Sequence, residues 1–491
     1  MTLQRAIRGL DVRACHGAVA AVEILGVQCD SRLVRPGDLF VAVPGTRDNG
    51  LRFVDDARAR GAAAVAAAVP PDRPDVPWVE LAGAVRPALA RLACALNGEP
   101  SHRLEVYAVT GTNGKTTTAG LARDMLEAAG RPAGLISTVL TAWPGVRRAS
   151  SCTTPDACAL QGLLREMADA GCRAVAMEAS SHALDQHRLD GTRFQAVAFT
   201  NLTRDHLDYH AGMEDYFAAK ERLFTAAAAA RPGTAAVINT DDPHGARLAR
   251  LAADRGLAVT AYGIDAGQPL RAEAVALTPD GTSFRLCSEA GSVPVRTGLS
   301  GRYNVLNMLG AAGLALAGGV SPAILARTLC AARPRWGRLE RIDTARPCRV
   351  FVDYAHTDDA LDNVLATLRE VTRGRLIVVF GCGGDRDRGK RPKMGRVCAA
   401  RADHLIITSD NPRSEDPGAI LRDIVAGVPP GTDYQTCVDR REAIAHALAL
   451  AGADDIVLVA GKGHEAVQIF ADRTIPFDDR EVIRQLGGSS T

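Results

Sequence analysis

A glycine-rich segment at residues 110–118 most constrains how this chain can fold. It reads TGTNGKTTT and lies between an apolar run at residues 103–110, predicted to be a strand, and a predicted helix at residues 116–129. Glycines let successive backbone N–H groups face one anion, and the positive end of the following helix adds to the attraction. The segment therefore predicts a nucleotide phosphate site formed by Gly111, Thr112, Asn113, Gly114, Lys115, Thr116 and Thr117.

Two residues of this phosphate loop have distinct predicted roles. Lys115 supplies a mobile positive charge for the β- and γ-phosphates, and Thr116 can offer its hydroxyl to Mg²⁺. The full GxxxxGK(S/T) spacing requires glycine at position 109, where this chain has Val109, so the loop is a shortened variant. A plain glycine-rich turn is the alternative. It is disfavoured because the motif follows a strand and precedes a helix, as phosphate binding requires.

Predicted strands and helices alternate along the chain. Short apolar runs, each followed by a helix or turn, occur at residues 174–177, 196–200 and 235–239, and again at residues 349–353, 375–380, 404–408 and 455–459. This alternation predicts the α/β class, with parallel sheets covered by helices on both faces. Nearer the N-terminus, residues 38–43 are typical of a strand and residues 53–60 and 84–96 of helices, while the alanine-rich residues 65–69 fit either.

Length and two boundary segments predict three domains. A chain of 491 residues is too long for one ordinary core. A linker at residues 97–101 and a second boundary near residues 333–337 give domains at residues 1–98, 99–333 and 334–491. The central domain carries the phosphate loop and its parallel sheet. The last domain, where the alternation restarts, is predicted to be a doubly wound, Rossmann-like unit.

Charge, hydropathy and cysteine usage exclude several classes of protein. Lys plus Arg number 58 and Asp plus Glu 56, which gives no case for a nucleic-acid or anionic-membrane partner. The N-terminus lacks a signal-peptide pattern, and the most apolar stretch, residues 305–320, is too short for a bilayer and indicates a buried helix. Twelve scattered cysteines without a CxxC pair favour a reducing cytoplasm and argue against a disulfide framework or zinc site. We expect a cytoplasmic monomer.

Several motifs, in order and spacing, resemble those of the Mur ligase family. They are the phosphate loop, TNLTRDHLDYH at residues 200–210, LSGRYNVLN at residues 299–307 and VDYAHT at residues 352–357. Other segments resemble the diaminopimelate-adding members of that family: CDSR at residues 29–32, EASSHALDQHR at 178–188, FGCGGDRDRGKRP at 380–392, DNPR at 410–413 and AGKGHE at 460–465. The similarity covers essentially the whole chain.

The resemblance implies a fold and an activity. It implies an N-terminal domain that binds UDP-MurNAc, a central ATPase and a C-terminal Rossmann-like domain that brings the amino acid. The implied reaction adds meso-2,6-diaminopimelate to UDP-N-acetylmuramoyl-L-alanyl-D-glutamate in peptidoglycan synthesis. ATP would phosphorylate the D-glutamate γ-carboxylate, and the amine would attack the acyl phosphate. Such chemistry depends on alignment and charge neutralisation rather than on a protein nucleophile.

The resemblance also assigns nucleotide and metal contacts. It implies that Lys115 is catalytic, that Glu178 and His206 bind Mg²⁺ beside Thr116, and that Lys220 is carbamylated so that it binds a second Mg²⁺. Further nucleotide contacts are implied at Asn304, Arg338, Asp353 and His356. Without the motifs, His206 would be interpreted as structural, Lys220 as a solvated position of an amphipathic helix, Asn304 as a helix cap and Arg338 as an ordinary surface charge.

Two further sets of residues are assigned by resemblance to the substrates. The UDP-dipeptide set is Ser31, Thr46, Arg47, Asp48, Thr153, Thr154, Ser180, Gln186 and Arg188. The amino-acid set is Arg386, Asp410, Asn411, Pro412, Arg413, Gly461 and Glu465. Arg413 is the predicted specificity residue because its guanidinium matches the second carboxylate of diaminopimelate, which lysine lacks. A buried Arg413 without a carboxylate would cost roughly 2–5 kcal/mol. The alternative for residues 411–412 is a simple turn.

Other activities stay open on sequence grounds. A lysine-adding synthetase would usually lack arginine at position 413, and a folylpolyglutamate synthetase would lack the CDSR and DNPR segments. A P-loop switch would hydrolyse ATP without any amino acid. A non-catalytic nucleotide-binding scaffold is disfavoured by the presence of Lys115, Glu178 and His206.

Overall fold

The first part of the chain forms a small sheet with helices. The computed structural model describes residues 1–45, 49–70, 76–264, 267–278 and 281–488. The first elements are the strands β1 Val12–His16, β2 Gly26–Gln28, β3 Asp38–Val41, β4 Ala64–Ala67 and β5 Trp78–Leu81, and the helices α1 Leu3–Ala6, α2 Val54–Ala59 and α3 Val85–Leu96. The sheet order is β1-β5-β4-β3-β2, parallel except for β1.

The alanine-rich run that fitted either a strand or a helix is the strand β4. It pairs in parallel with β3 on one side and with β5 on the other, and all four of its residues are buried. A strand covered on both faces has no polar alternation, so periodicity alone could not identify it. The predicted strand at residues 38–43 and the helices at residues 53–60 and 84–96 are confirmed as β3, α2 and α3.

The middle of the chain forms a large mixed sheet. Its strands are β6 Glu105–Thr110, β7 Ala133–Ile136, β8 Leu140–Trp143, β9 Val146–Ala149, β10 Ala174–Glu178, β11 Ala196–Phe199, β12 Ala235–Asn239, β13 Ala258–Ile264, β14 Leu270–Thr278, β15 Gly281–Ser288 and β16 Gly291–Thr297. The order is β16-β15-β14-β13-β12-β11-β6-β10-β7-β8-β9. Its helices are α4 Lys115–Ala128, α5 Ala157–Asp169, α6 Ser181–Asp185, α7 Met213–Ala230, α8 Pro243–Asp254, α9 Arg302–Ala317 and α10 Pro322–Ala331.

The prediction of a purely parallel central sheet was incomplete. The strands from β14 to β7 are parallel, but β15 and β16 extend one edge and β8 and β9 the other in antiparallel pairs. β14 alternates buried and more exposed residues along much of its length. Such a strand has one face towards solvent, which antiparallel pairing permits and which a search for fully apolar runs misses.

The last part of the chain forms a doubly wound unit, as predicted. Its strands are β17 Glu340–Ile342, β18 Arg349–Asp353, β19 Leu376–Phe380, β20 His404–Thr408, β21 Tyr434–Cys437 and β22 Ile456–Ala460, with a separate hairpin of β23 Val467–Ile469 and β24 Thr474–Pro476. The sheet order is β17-β18-β22-β19-β20-β21, and only β17 is antiparallel. Its helices are α11 Asp358–Val371, α12 Arg391–Arg401, α13 Pro417–Val425, α14 Arg440–Leu450 and α15 Asp479–Gly487.

The core of the central sheet unit includes a buried helix, and the parallel strands of this sheet end at a common edge. Helix α9 is buried along most of its length, and Met308, Leu309 and Leu314 are fully shielded, so the buried helix predicted at residues 305–320 is confirmed. Among the described residues, no helix has the length and apolar character needed to cross a membrane. Strands β6, β10 and β11 are parallel, and their carboxyl ends therefore meet at one edge, where α/β folds bind ligands.

Candidate active site

The phosphate loop joins β6 to α4 with two glycines in conformations that other residues rarely adopt. Gly111 has φ 150° and Gly114 has φ 85°. A Cβ at Gly111 would lie 1.8 Å from Thr200 Oγ1, and one at Gly114 would lie 2.1 Å from Asn307 Oδ1. The loop is therefore packed so closely against its neighbours that only glycine fits at both positions.

Hydrogen bonds with Asn201 and with Lys115 fix the conformation of the loop. The N–H groups of Thr112 and Asn113 donate to the backbone oxygen and to Oδ1 of Asn201, each over 2.9 Å. Lys115 Nζ donates to the carbonyl oxygens of Gly111, over 2.9 Å, and Thr112, over 2.8 Å. Burial lowers the pKa of Lys115, and Glu178 opposes that shift. The first turn of α4 has N–H groups with no acceptor within the helix, which suits an anion.

A cavity of about 450 Å³ opens between the central sheet and the last sheet. It brings together most of the residues predicted for nucleotide and metal: Thr112, Asn113, Gly114, Lys115, Thr116, Thr117, Glu178, His206, Asn304, Arg338, Asp353 and His356, with Thr153 of the UDP-dipeptide set. Gly111 and Lys220 lie behind the loop and do not line it. The cavity therefore collects side chains from segments far apart in the sequence, on two different sheets.

Three of the four residues predicted for Mg²⁺, namely Thr116, Glu178 and His206, line this cavity. Glu178 ends β10 and is 1% exposed, and its carboxylate accepts from the N–H of Thr138 over 2.8 Å and from its Oγ1 over 3.1 Å. Burial lowers the pKa of His206 to about 4, with Lys115 adding to the effect and Asp205 opposing it. The set therefore offers a hydroxyl oxygen from Thr116, a carboxylate and a neutral imidazole, all of which bind metal ions.

The interpretation of Lys220 as a solvated helix position was wrong. Lys220 is 1% exposed, and its Nζ donates to the carbonyl oxygen of Gly111 over 2.8 Å and lies 4.2 Å from the Tyr216 ring centre. Burial lowers its pKa well below the usual range, and the nearby charge of Lys115 acts in the same direction. Within the described part of the chain no carboxylate lies within ion-pairing distance of this amine. Lys220 is therefore an amine that is easily deprotonated, directly beneath the phosphate loop.

The last sheet contributes a polar cluster to the other side of the cavity. Arg338 lies over the ring of Tyr354, 4.5 Å from its centre, and its buried Nε finds no acceptor among the described residues. Asp353 is buried at the end of β18 and accepts from the N–H groups of Leu339 and Ala355. Burial raises its pKa, and Arg338 opposes that shift. An unpaired guanidinium N–H on a residue that lines a polar cavity suits an anionic ligand.

Five of the predicted UDP-dipeptide residues form one hydrogen-bonded network beside Glu178. They are Thr153, Thr154, Ser180, Gln186 and Arg188. Thr154 Oγ1 donates to the carbonyl oxygen of Glu178 over 2.8 Å and accepts from the N–H of Ser180 over 3.0 Å. Arg188 donates to the carbonyl oxygen of Thr154 over 2.7 Å and to Gln186 Oε1 over 2.8 Å. Thr138 Oγ1 donates to Thr153 Oγ1 over 3.0 Å.

Of the remaining members of that set, the structure describes Ser31, in the N-terminal sheet unit. Ser31 is 5% exposed and lies in a short 3-10 helix, Ser31–Leu33, that follows Asp30. Thr46, Arg47 and Asp48 lie outside the described residues.

The predicted specificity residue, Arg413, is half-buried rather than buried. Its Nη1 donates to the carbonyl oxygens of Gly384, over 2.8 Å, and Asn411, over 3.5 Å. No carboxylate of the described chain pairs with it. A Cβ at Gly383 would lie 2.8 Å from Arg413 Nη1 and 3.9 Å from Cγ of Arg386, so the two arginines lie close together. Because Arg413 keeps part of its hydration, leaving it unpaired costs less than the 2–5 kcal/mol expected for a buried group.

Acidic and amide groups surround the arginines. Glu465 accepts from Asn411 Nδ2 over 2.7 Å, and Asp410 Oδ1 accepts from the Asn411 N–H over 2.7 Å. Gly461 has φ 113°, and a Cβ there would lie 2.6 Å from Asp410 Oδ2. The carbonyl oxygen of Pro412 accepts from the Glu415 N–H over 3.1 Å, so the turn spans residues 412–415 rather than residues 411–412 alone.

Sequence reasoning missed several residues of the site. Asn201, Thr203 and Asp205 line the cavity and belong to the quoted motif at residues 200–210, so the signal was present but unused. Lys462 is fully buried and donates from Nζ to Asn411 Oδ1 over 3.2 Å. Asp359, which accepts from Thr203 Oγ1 over 2.9 Å, follows the VDYAHT motif and carried no signal of its own.

Family models match the chain along most of its length. The Mur ligase family, catalytic domain, matches residues 23–97, the Mur ligase middle domain matches residues 109–315, and the Mur ligase, glutamate ligase domain, matches residues 337–463.

Curated relatives and solved structures agree with these matches. UDP-N-acetylmuramoyl-L-alanyl-D-glutamate--2,6-diaminopimelate ligases from Geobacter metallireducens and Gloeobacter violaceus are 44% and 46% identical, covering 95% and 97% of this chain and 94% and 96% of theirs. A solved structure of an enzyme with that name is 32% identical with a TM-score of 0.70, covering 99% of this chain and 98% of that one. MurF ligase from Thermotoga maritima in complex with ADP, 18% identical with a TM-score of 0.63 over 94% and 96%, shares the fold. The chain belongs to the Mur ligase family.

Proposed function

We propose that the chain is an ATP-dependent ligase that adds meso-2,6-diaminopimelate to UDP-N-acetylmuramoyl-L-alanyl-D-glutamate, through an acyl phosphate. The observation that carries the proposal is the cavity in which the phosphate loop, Glu178 and His206 face Arg338 and Asp353 of the last sheet. Relatives with the corresponding name are 44% and 46% identical over nearly the full chain.

We propose three domains, at residues 1–98, 99–333 and 334–491, for UDP-MurNAc, ATP and the amino acid respectively. In support, each range contains one of the three large sheets, and each contains the whole of one family match. We propose that the chain acts as a monomer. All twelve cysteines are free thiols, in keeping with the reducing cytoplasm.

The phosphate loop would bind the triphosphate of ATP. The N–H groups of its first helical turn point at the anion, and Lys115 can exchange its contacts with Gly111 and Thr112 for phosphate oxygens. Arg338, whose Nε is buried without an acceptor, would neutralise charge from the opposite side. Asn304 lines the same cavity, and His356 lies beside Tyr354, so both are placed to contact the nucleoside.

The residues facing the cavity suit Mg²⁺, which would neutralise phosphate charge and orient the transferred group. Thr116 and Glu178 offer the oxygen ligands that this ion prefers, and His206 offers an imidazole nitrogen. Glu178 is already oriented by two hydrogen bonds from Thr138. We propose these three side chains as the ligands of one ion. The chain's own contribution is to hold Glu178 at the end of β10, Thr116 in the first turn of α4 and His206 in the segment that follows β11.

Lys220 is proposed to carry a carbamate and to hold a second Mg²⁺. Its neutral amine would attack CO₂, forming an N–C bond and releasing one proton to solvent. The product is an anion placed near the positive charge of Lys115, which would stabilise it. Support comes from the burial of Lys220 and from the lack of an ion-paired carboxylate in the described chain. Intact mass and ¹³C spectra in ¹³CO₂ buffer would detect the adduct, and its absence at saturating CO₂ would remove this part of the proposal.

Selection of the amino acid is proposed to depend on Arg413 and Arg386. Cγ of Arg386 and Nη1 of Arg413 both lie within 4 Å of the position of a Cβ at Gly383. Neither arginine pairs with a carboxylate in the described chain, so both have donors for the distal carboxylate of diaminopimelate. Asp410 and Glu465 both accept hydrogen bonds from Asn411, and their carboxylates can also accept from a substrate ammonium group. L-Lysine would leave the arginines without a partner, which provides the discrimination.

The test is phosphate release by the purified chain with ATP and the UDP-dipeptide. Release should require an amino acid, be fast with meso-diaminopimelate and slow with L-lysine, and yield the amide product by mass. Arg413→Ala should lower kcat/KM for diaminopimelate by about 2 kcal/mol, roughly thirtyfold, with little change for L-lysine.

Two controls sharpen that test. Arg422→Ala removes an exposed arginine from the same domain and should change neither rate. Arg413→Lys keeps the charge but loses the two-pronged geometry, and it should recover only part of the activity. Equal rates with both amino acids would reject the specificity, whereas ATP turnover without any amino acid would point to the P-loop switch instead of a ligase.

A further inference from the structure

Two cysteines and an aspartate meet where the N-terminal sheet unit packs on the central one. Cys29 directly follows β2, and Cys158 lies in the first turn of α5, next to Asp156, which caps that helix. One ligand atom from each of the three side chains lies within 4.8 Å of the other two. Among the described residues, this is the one group of three or more His, Cys, Asp or Glu side chains that meets this geometry.

The surroundings of this cluster are those of a fixed site rather than a mobile surface. Cys158 is 8% exposed and belongs to the hydrophobic core of the N-terminal unit, against which Cys29 packs. Asp156 is oriented because its Oδ1 accepts from the N–H of Ala159 over 3.0 Å, which leaves Oδ2 available. Each ligand is therefore held in place by the fold before any ion arrives, which lowers the cost of binding one.

We propose that Cys29, Asp156 and Cys158 bind a thiophilic divalent metal ion, Zn²⁺ by its chemistry, at the junction of these two units. Two sulfur ligands and one carboxylate oxygen match the donors that Zn²⁺ accepts, and a water completes a tetrahedral shell. Mg²⁺ prefers oxygen ligands and would stay at the cavity. Each thiol that binds gives up its proton to solvent, so that two S–H bonds are replaced by two S–Zn bonds.

The position of the site gives it a consequence. Ser31 lies two residues after Cys29, and Thr153 and Thr154 lie shortly before Asp156, so the ion would connect two segments proposed to contact the UDP-dipeptide. One segment follows β2 of the first sheet and the other follows β9 of the central sheet. The ion would hold the two segments at a fixed separation. Because it binds the folded chain through ligands that are apart in the unfolded one, it would raise the melting temperature. The absence of a CxxC pair argued against zinc, but the fold brings distant cysteines together.

Cobalt titration of the full chain tests the site. Metal is removed with a chelator under a phosphine reductant, and Co²⁺ is added while the near-ultraviolet absorption is followed. We expect a thiolate-to-cobalt charge-transfer band that saturates at one equivalent and disappears when Zn²⁺ is added. The band reports sulfur ligands, so ions bound at Glu178 and His206 do not contribute to it.

Variants identify the ligands. Cys29→Ser and Cys158→Ser should each abolish the band, whereas Asp156→Asn, which keeps a helix-capping side chain, should retain it with affinity lowered at least about tenfold. Cys94→Ser is the matched control, because Cys94 lies at the same junction and its Sγ contacts the carbonyl oxygen of Asp190. Metal-free melting temperatures show that the variants fold, since Cys29 is only half-buried.

Three results would overturn the proposal. The first is no charge-transfer band in the unmodified chain, and the second is a band that survives in both cysteine variants. The third is a Cys29–Cys158 disulfide formed by hydrogen peroxide in a chain without a cobalt band, with two waters released as the peroxide is reduced. That last result would assign the pair to redox chemistry instead of metal binding.

Discussion

Asn113, in the phosphate loop, donates from Nδ2 to Oδ2 of Asp359, in the first turn of α11, over 2.9 Å. The same carboxylate oxygen accepts from Thr203 Oγ1 over 2.9 Å. One side chain of the last sheet unit thus fastens both the loop and the segment that carries His206. The contact joins the start of α11 to two segments that line the nucleotide cavity.

Removing that contact is expected to weaken catalysis rather than folding. Asp359→Ala leaves the donors of Asn113 and Thr203 without their shared acceptor, and a hydrogen bond to a charged group contributes about 1.5–3 kcal/mol. We expect kcat/KM for ATP to fall by roughly tenfold or more, measured by phosphate release. Asp362→Ala, on the same helix and paired with Arg401, is the control and should be nearly unchanged. Equal losses in the two variants would contradict the role of Asp359.

The strain at Gly114 predicts that alanine there disables nucleotide binding. Gly114→Ala would place a Cβ 2.1 Å from Asn307 Oδ1 at φ 85°, and the left-handed backbone alone costs roughly 1–2 kcal/mol. Affinity for ATP, measured by calorimetry, should fall at least tenfold. Gly130→Ala shares the strain, at φ 76°, but meets no atom within 4 Å. An unaltered affinity in Gly114→Ala would show that the loop adapts.

A buried ion pair next to the residues of the amino-acid set predicts a large and non-additive effect on stability. Arg440 and Asp479 are fully buried, 2.7 Å apart, and Arg440 also donates to the carbonyl oxygens of Ser409 and Ala460. Asp479→Ala should lower the free energy of unfolding by about 3–5 kcal/mol, because it strands a buried guanidinium. Denaturation by urea measures it. The double variant Arg440→Leu with Asp479→Leu should lose less free energy of unfolding than Asp479→Ala. A double variant that loses as much or more would contradict this expectation.

His464 predicts a dependence of stability on pH. Burial lowers the pKa of His464 to about 4, with the charge of Arg338 as the next cause, and its buried Nδ1 has no hydrogen-bond partner among the residues that the structure describes. The unfolded chain takes up the proton below about pH 6.5, and the folded chain does so only near pH 4. The free energy of unfolding therefore falls as the pH drops through this window, with about 3 kcal/mol due to His464.

Denaturation midpoints at successive pH values would reveal that contribution. His464→Gln should flatten the slope between pH 6.5 and 4, whereas His446→Gln, at an exposed position of α14, should leave it as it is. Parallel slopes for the unmodified chain and His464→Gln would show that His464 is not responsible.

Local rules predicted the phosphate loop well, because strand, glycines and helix follow one another in a few residues. They failed at Lys220, although the signal was there. Tyr216, Leu223, Phe224 and Ala227 lie at helical spacing from Lys220 and are buried, so this lysine lies on the apolar face of α7. The spacing was interpreted as an amphipathic helix with Lys220 on its solvated face, and this assignment of the two faces was wrong.

Contacts between distant segments could not be predicted in this way. Cys29 and Cys158 meet only because α3 of the first unit packs on α5 of the next. Likewise, the exposure of Arg413 depends on Gly383 and Gly384, which come from another loop. The resemblance assigned Arg413 to a motif, but the burial and the partners of all these residues follow from tertiary packing.

Lys115 is held by two carbonyl oxygens of its own loop, and this has a consequence for the speed of the first encounter. A long, flexible lysine would otherwise lose rotational freedom when a phosphate arrives, at a cost of about 1–2 kcal/mol. Here folding has already imposed that order, so the incoming triphosphate only has to replace one set of oxygen acceptors with another. The side chain of Lys115 is thus pre-organised before the triphosphate binds.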